Sequence, residues 1–134
     1  MRMDELTERA RQAREQAYVP YSHFAVGAAV LTDDGHIYTG CNIENSSYGM
    51  SLCAERVAMF KAVSAGYRHL KAIAVVGDTK GPVSPCGACR QVMTEFMPAD
   101  ASVTLSNLHG KSETLPLKEV LPFAFFLNDD RVDE

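Results

Sequence analysis

A chain of 134 residues, 46% of them hydrophobic, can bury a core without covalent staples and fits a single domain spanning residues 1–134. Its formal charge is −4 and its 13 lysines and arginines are scattered, so no basic stripe exists to neutralise a phosphate backbone, and no nucleic-acid partner is expected. No apolar stretch approaches the length of a signal-peptide core or a membrane span, which predicts a cytoplasmic protein with no membrane partner.

In residues 4–17, Leu6, Ala10, Ala13 and Ala17 recur at helical spacing with charged side chains opposite them, which predicts an amphipathic helix with a thin apolar stripe. Residues 25–32 read as a strand, Asp33-Asp34-Gly35 as a tight turn, and residues 36–44 as the antiparallel partner. After the turn-rich stretch Asn45-Ser46-Ser47-Tyr48-Gly49, residues 53–65 carry Ala54, Val57, Ala58 and Ala62 at helical period, with Gly66 as a stop. Residues 70–76 are apolar and β-branched enough for a buried strand. The Gly/Pro-rich loop 78–85 leads into a third helix with Val92, Met93, Phe96 and Met97 facing inward. Ser102–Ser106 alternates like a strand, residues 107–113 turn, and Pro116 begins a short helix that ends near Pro122. Residues 128–134 read as a loose tail. Strands and helices that alternate after an initial hairpin predict an α/β fold, a mixed sheet with helices on both faces.

Four cysteines, Cys41, Cys53, Cys86 and Cys89, stay reduced in a chain without an export signal, so metal binding or redox chemistry is expected of them rather than disulfides. Three of them, with Glu55, fall at the starts of two predicted helices, in Cys53-Ala54-Glu55 and Pro85-Cys86-Gly87-Ala88-Cys89. Unpaired N–H groups at a helix start stabilise anions and lower a thiol's pKa, which suits metal-binding thiolates. Three protein ligands leave the fourth tetrahedral position for water, as in a catalytic rather than a structural zinc site. Cys41 lies inside a predicted strand, away from any helix start, and reads as a packed or free thiol. Three thiolates and Zn²⁺ sum to −1, and Arg56 and Arg90, each directly after a motif, offer guanidinium donors to the sulfurs, Arg56 being the preferred one.

The pattern resembles that of zinc deaminases, in which a His or Cys, then x-Glu, is followed by Pro-Cys-x-x-Cys. With Cys as the first ligand, it is similar to the short, homotetrameric cytidine deaminases. The resemblance extends over nearly the whole chain, through Pro20-Tyr21-Ser22-His23-Phe24, Gly40-Cys41-Asn42-Ile43-Glu44-Asn45, Cys53-Ala54-Glu55-Arg56, Ser84-Pro85-Cys86-Gly87-Ala88-Cys89-Arg90-Gln91 and Leu121-Pro122-Phe123-Ala124-Phe125. It implies a three-layer α/β/α fold with a mixed five-stranded sheet, and one Zn²⁺ per subunit held by Cys53, Cys86 and Cys89. It further implies hydrolytic deamination of cytidine and deoxycytidine in pyrimidine salvage, with Glu55 shuttling protons. Residues two apart on a regular helix point to different sides, so Cys53 and Glu55 share a pocket only if the helix start is irregular.

The resemblance also implies a small-molecule pyrimidine nucleoside as partner, contacted by Phe24, Asn42, Glu44, Tyr48, Ala54 and Phe125, with Arg56 behind the ligands. Asn42 and Glu44 alternate along the predicted strand and so share a face. The matching residues bind ribose hydroxyls, and a carboxylate there repels a phosphate. Tyr48 and Phe125 match residues that enter a neighbouring subunit's site. Composition alone would make Asn42 and Glu44 a solvated hairpin face, Glu55 a helix-dipole partner, and the phenylalanines near 125 an ordinary interface. His23, His36, His69 and His109 have no metal-binding spacing and read as structural or exposed. Three other readings remain open: a closed structural zinc site that adds Cys41, a redox pair of Cys86 and Cys89, and a blasticidin-type deaminase, which would be expected to lack the Asn42-x-Glu44 pattern.

Overall fold

The computed structural model describes residues 2–127. Helix α1 (Arg2–Ala13) precedes the hairpin of β1 (Val26–Thr32) and β2 (Ile37–Cys41), and α2 (Ala54–Ser64) leads into β3 (Leu70–Gly77). Then come α3 (Gly87–Phe96), β4 (Ser102–Ser106), β5 (Ser112–Pro116) and the short α4 (Leu117–Val120). The strands form one sheet in the order β2-β1-β3-β4-β5, with β3 and β4 parallel and the other pairs antiparallel. The expected mixed five-stranded sheet between helices is therefore the observed fold.

Alternation along β1 and β3 builds the two faces. Ala28, Val30, Ile73 and Val75 pack with Ala58, Met59 and Met93 under α2 and α3, whereas Ala29, Leu31, Ala72, Ala74 and Val76 pack against Leu6 and Ala10 of α1. Two glycines let the helices sit directly on the sheet. A Cβ on Gly27 would lie 2.0 Å from the Ala10 carbonyl oxygen, and one on Gly40 would lie 2.5 Å from Ala58 N and 2.7 Å from Ala54 O. Gly40 stands opposite Ala28 in the hairpin, so two small residues together form the seat of α2.

Three boundaries differ from the sequence expectation. Helix α1 ends at Ala13 and passes through a 3-10 turn at Arg14–Gln16, so Leu6 and Ala10 are buried while Ala13 and Ala17 are only half-buried. The ladder of β2 stops at Cys41; beyond it, Ile43 makes isolated bridges with Tyr18 and Leu52. Residues 112–116, expected to turn and then enter a helix, form the edge strand β5. Its Ser112-Glu113-Thr114 run lacks hydrophobic alternation because the strand is exposed, and it is held by the ladder to β4 and by hydroxyl pairs Thr104–Thr114 and Ser106–Ser112, both 2.9 Å. Gly66 ends α2 at φ +107, as expected of a left-handed stop. The tail at 128–134 lies outside the described residues.

Replacing Gly40 by Ala forces a methyl group into the backbone of α2, and should destabilise the fold by about 2–3 kcal/mol. Urea unfolding of Gly40→Ala measures this; an unchanged midpoint would contradict direct seating of α2 on the hairpin.

Candidate active site

The two helix starts meet. Cys53 is the N-cap of α2 (φ −75, ψ 153) and Cys86 the N-cap of α3 (φ −71, ψ 162), both in extended conformation just outside their helices. Cys89 lies in the first turn of α3, and its N–H donates to Cys86 Sγ at 3.4 Å. The Sγ atoms of Cys53 and Cys86 are 3.5 Å apart, those of Cys86 and Cys89 3.3 Å, and all three thiols lie within 4.8 Å of one another. The extended conformation at Cys53 also answers the spacing problem: the thiol belongs to the incoming chain and Glu55 to the first turn, so the helical rule for residues two apart does not apply to them.

Glu55 is 4% exposed. Burial pushes its carboxyl up to about 7; its own backbone N–H opposes the shift, the Cys53 charge adds to it, and Arg56 opposes it. Cys53 is lowered to about 5, first by the Cys89 thiol, which donates to it, and then, against the cost of burial, by Arg56 and Cys86. The same sharing pushes Cys89 up.

Arg56 Nη2 lies 3.7 Å from Cys53 Sγ and 3.5 Å from the Ser51 carbonyl oxygen, whereas its buried Nε has no hydrogen-bond partner. Arg90, also expected near the sulfurs, donates instead to Pro85 O, Ser84 Oγ and Val120 O. Cys41 is a half-buried free thiol outside the cluster, pushed up by burial.

The donor set fits zinc. Sulfurs placed ~2.3 Å from a central ion at tetrahedral corners are ~3.8 Å apart, close to the separations here. A cation would hold the three thiols as thiolates, and their negative charge would offset the cost of the buried Arg56 Nε. Among the described residues no fourth His, Cys, Asp or Glu joins the three thiols, and Cys53 beside Cys86 means that Cys86 and Cys89 are not an isolated pair.

Beyond the end of β2, Asn42 and Glu44 both turn toward residues 21–26, although no strand ladder aligns them. Asn42 Oδ1 accepts from Val26 N at 2.9 Å, and its Nδ2 donates to Phe24 O at 2.8 Å. Glu44 Oε1 accepts from the N–H groups of Tyr21 and Ser22, both 3.1 Å, and Oε2 accepts from Ser22 Oγ. The Ser22 hydroxyl above all, against the cost of desolvation and with help from these N–H groups, holds the Glu44 carboxyl below its usual value. Glu44, Tyr21, Ser22, Tyr48 and Ser51 line a hollow of about 330 Å³. Tyr48 is exposed, its ring 6.0 Å from that of Tyr21 in an edge-to-face contact. Phe24 is partly exposed over the end of β3, its Cζ 3.4 Å from where a Cβ on Gly77 would stand. Ala54 is fully buried at the start of α2, and Phe125 is exposed, its carbonyl accepting from Gln91 Nε2 at 2.8 Å. Sequence reasoning missed Ser22 and Tyr21 as partners of Glu44; their place in the Pro20–Phe24 motif was the available signal. Of the histidines, His36 pairs with Asp34 at 2.9 Å and His109 with Asp78 at 3.0 Å, both on the surface.

The family model for the cytidine and deoxycytidylate deaminase zinc-binding region matches residues 1–105. The cytidine deaminase of Sporosarcina psychrophila is 58% identical over 129 residues, covering 96% of this chain and 95% of its own length. That of Halalkalibacterium halodurans is 59% identical over 124 residues, covering 92% and 94%. In structure, the chain is similar to the cytidine deaminase of Burkholderia pseudomallei, with a TM-score of 0.90 and 52% identity over 93% of this chain and 100% of that one.

A metal assay separates the thiols. Cys89→Ser should lose most bound zinc, whereas Cys41→Ser should keep the wild-type content; zinc loss in Cys41→Ser would restore the closed four-thiol site.

Proposed function

The chain belongs to the zinc-binding family of cytidine and deoxycytidylate deaminases, and from that membership we propose that it hydrolyses cytidine and deoxycytidine to uridine and deoxyuridine with release of ammonia. The observation that carries the mechanism is a buried carboxyl, Glu55, raised to about 7 beside three thiols clustered at two helix starts. Cys53, Cys86 and Cys89 would hold one Zn²⁺ per subunit. Bound there, zinc supplies the Lewis acidity that makes water a nucleophile near neutral pH.

Glu55 takes a proton from the attacking water as its oxygen bonds to C4 of the cytosine ring, and delivers that proton to N3. It then takes the proton of the new hydroxyl and passes it to the amino group, which leaves as ammonia while C4 becomes a carbonyl. Water is the only co-reactant, and the carboxylate is regenerated. A group whose pKa lies near the working pH serves both directions of transfer, which is the role that burial gives Glu55. Arg56 offsets thiolate charge through its contact with Cys53.

Asn42 and Glu44 would bind the ribose hydroxyls, with Phe24 and Ala54 against the base. The hydrogen bonds from residues 21 and 22 support this reading because they keep Glu44 ionised and aimed in one direction. A phosphate ~4 Å from that charge would meet about 1–4 kcal/mol of repulsion, which selects nucleosides over nucleotides. Tyr48 and Phe125 would enter a neighbouring subunit's site in a homotetramer. Their exposure, 73% and 67%, suits side chains that another subunit covers. The single domain would work in the cytoplasm in pyrimidine salvage. No helix among the described residues is long and apolar enough to cross a membrane.

Loss of cytidine absorbance measures the reaction. Glu55→Gln should retain zinc while kcat falls by about 10³-fold or more; turnover within tenfold of wild type would remove Glu55 from the mechanism. Wild-type kcat/KM for cytidine should exceed that for cytidine monophosphate by about tenfold or more, and equal values would contradict the role of Glu44.

A further inference from the structure

Arg90 directly follows a proposed ligand, yet its guanidinium turns away from the sulfurs. From the first turns of α3 its side chain folds back, so that Nε donates to Pro85 O at 2.9 Å, Nη2 to Ser84 Oγ at 2.8 Å and Nη1 to Val120 O at 3.0 Å. Two of these acceptors belong to the chain entering Cys86, and the third is the last carbonyl of α4. The neighbouring Gln91 holds the Phe125 carbonyl. A planar guanidinium presents its donors in a fixed fork, so acceptors from two separate segments are held in one relative placement. The proline ring fixes φ at Pro85, and a bond to its carbonyl fixes the peptide plane that carries the Cys86 nitrogen. The remaining freedom of the sulfur is limited by the N–H of Cys89.

We infer that Arg90 is a positioning residue that sets the direction of the Cys86 sulfur and ties it to the segment bearing Phe125, so that metal retention and nucleoside affinity both depend on one side chain. This rests on the reading of Cys86 as a zinc ligand and Phe125 as a substrate contact. The guanidinium of Arg90 donates to Pro85, Ser84 and Val120 rather than to the sulfurs, and so acts through the Pro85 and Val120 carbonyls. Lysine replaces it only in part, because a single ammonium on a flexible stem does not hold the same fork.

The test uses full-length, zinc-loaded wild type, Arg90→Met, Arg90→Lys and, as a control, Leu6→Ala, which removes a fully buried side chain beneath α1 on the opposite face of the sheet. Zinc release to a chromogenic chelator, cytidine kinetics at saturating zinc, and Tm are measured for each. Arg90→Met should release zinc ~10–100-fold faster and raise KM several-fold, with kcat of the zinc-saturated protein little changed. Arg90→Lys should fall between it and wild type, and Leu6→Ala should lower Tm while leaving release and KM unchanged. Release at the wild-type rate in the Arg90 variants overturns the inference, as does equal acceleration by Leu6→Ala at the same loss of Tm. Faster release with an unchanged KM overturns the tie to Phe125. If Arg90→Met does not fold, Arg90→Lys decides by the same criteria. A wild type that holds zinc but leaves cytidine intact overturns the proposed function, while the release rates still judge the hold of Arg90 on Cys86; a wild type that takes up no zinc overturns both.

Discussion

Two helix N-termini aimed at one point repel each other, since the unpaired N–H groups of each carry the equivalent of about half a positive charge. Helices α2 and α3 converge in this way, and each begins on a cysteine whose extended backbone leaves the thiol at the meeting point. Thiolates there turn a repulsive arrangement into an attractive one. In the proposed enzyme the divalent cation takes up most of their charge and Arg56 offsets the remainder. The same enclosure buries Glu55, and that burial is the largest cause of its raised pKa. In the proposed enzyme, metal affinity would draw on the positive potential of the two helix ends and proton transfer on the burial of Glu55, which lies at one of them.

The sheet determines where this convergence occurs. Gly40 and Ala28 let the backbone of α2 rest on the hairpin, which fixes the position of Cys53 and Glu55 at its start. The parallel β3–β4 pair requires a crossover, and α3 lies within it, entered through the loop that follows Gly77. Asn107 braces that loop by donating to Thr79 O at 2.8 Å and Lys80 O at 2.9 Å. Phe24 reaches the same end of β3, at Gly77. The carboxyl end of a strand beside a helix start is where open α/β sheets place their ligands.

The sequence made the α/β character, the hairpin, the three long helices and the clustering chemistry of Cys53, Cys86, Cys89 and Glu55 legible, because each rests on local periodicity or on a motif with a chemical reason. The missed features depend on partners distant in the chain. Strand β5 is polar and exposed, so only its ladder to β4 reveals it. The stop of β2 at Cys41 and the bridges of Ile43 depend on Tyr18 and Leu52, which no period announces. Arg56 and Arg90 each follow a cysteine motif, and although the sequence favours Arg56 as the donor to sulfur, only the folded positions of Ser84, Pro85 and Val120 reveal what holds Arg90 instead. The spacing conflict between Cys53 and Glu55 disappears once the cap residue is seen to lie outside the helix.

The proposed reaction depends on a cation bound by three sulfurs with a fourth position left for water. Zinc K-edge X-ray absorption of the loaded wild-type protein tests it most directly. Three sulfur scatterers at ~2.3 Å and one oxygen or nitrogen at ~2.0 Å are expected; four sulfurs would mean that Cys41 has closed the site, and would rule out an activated water there.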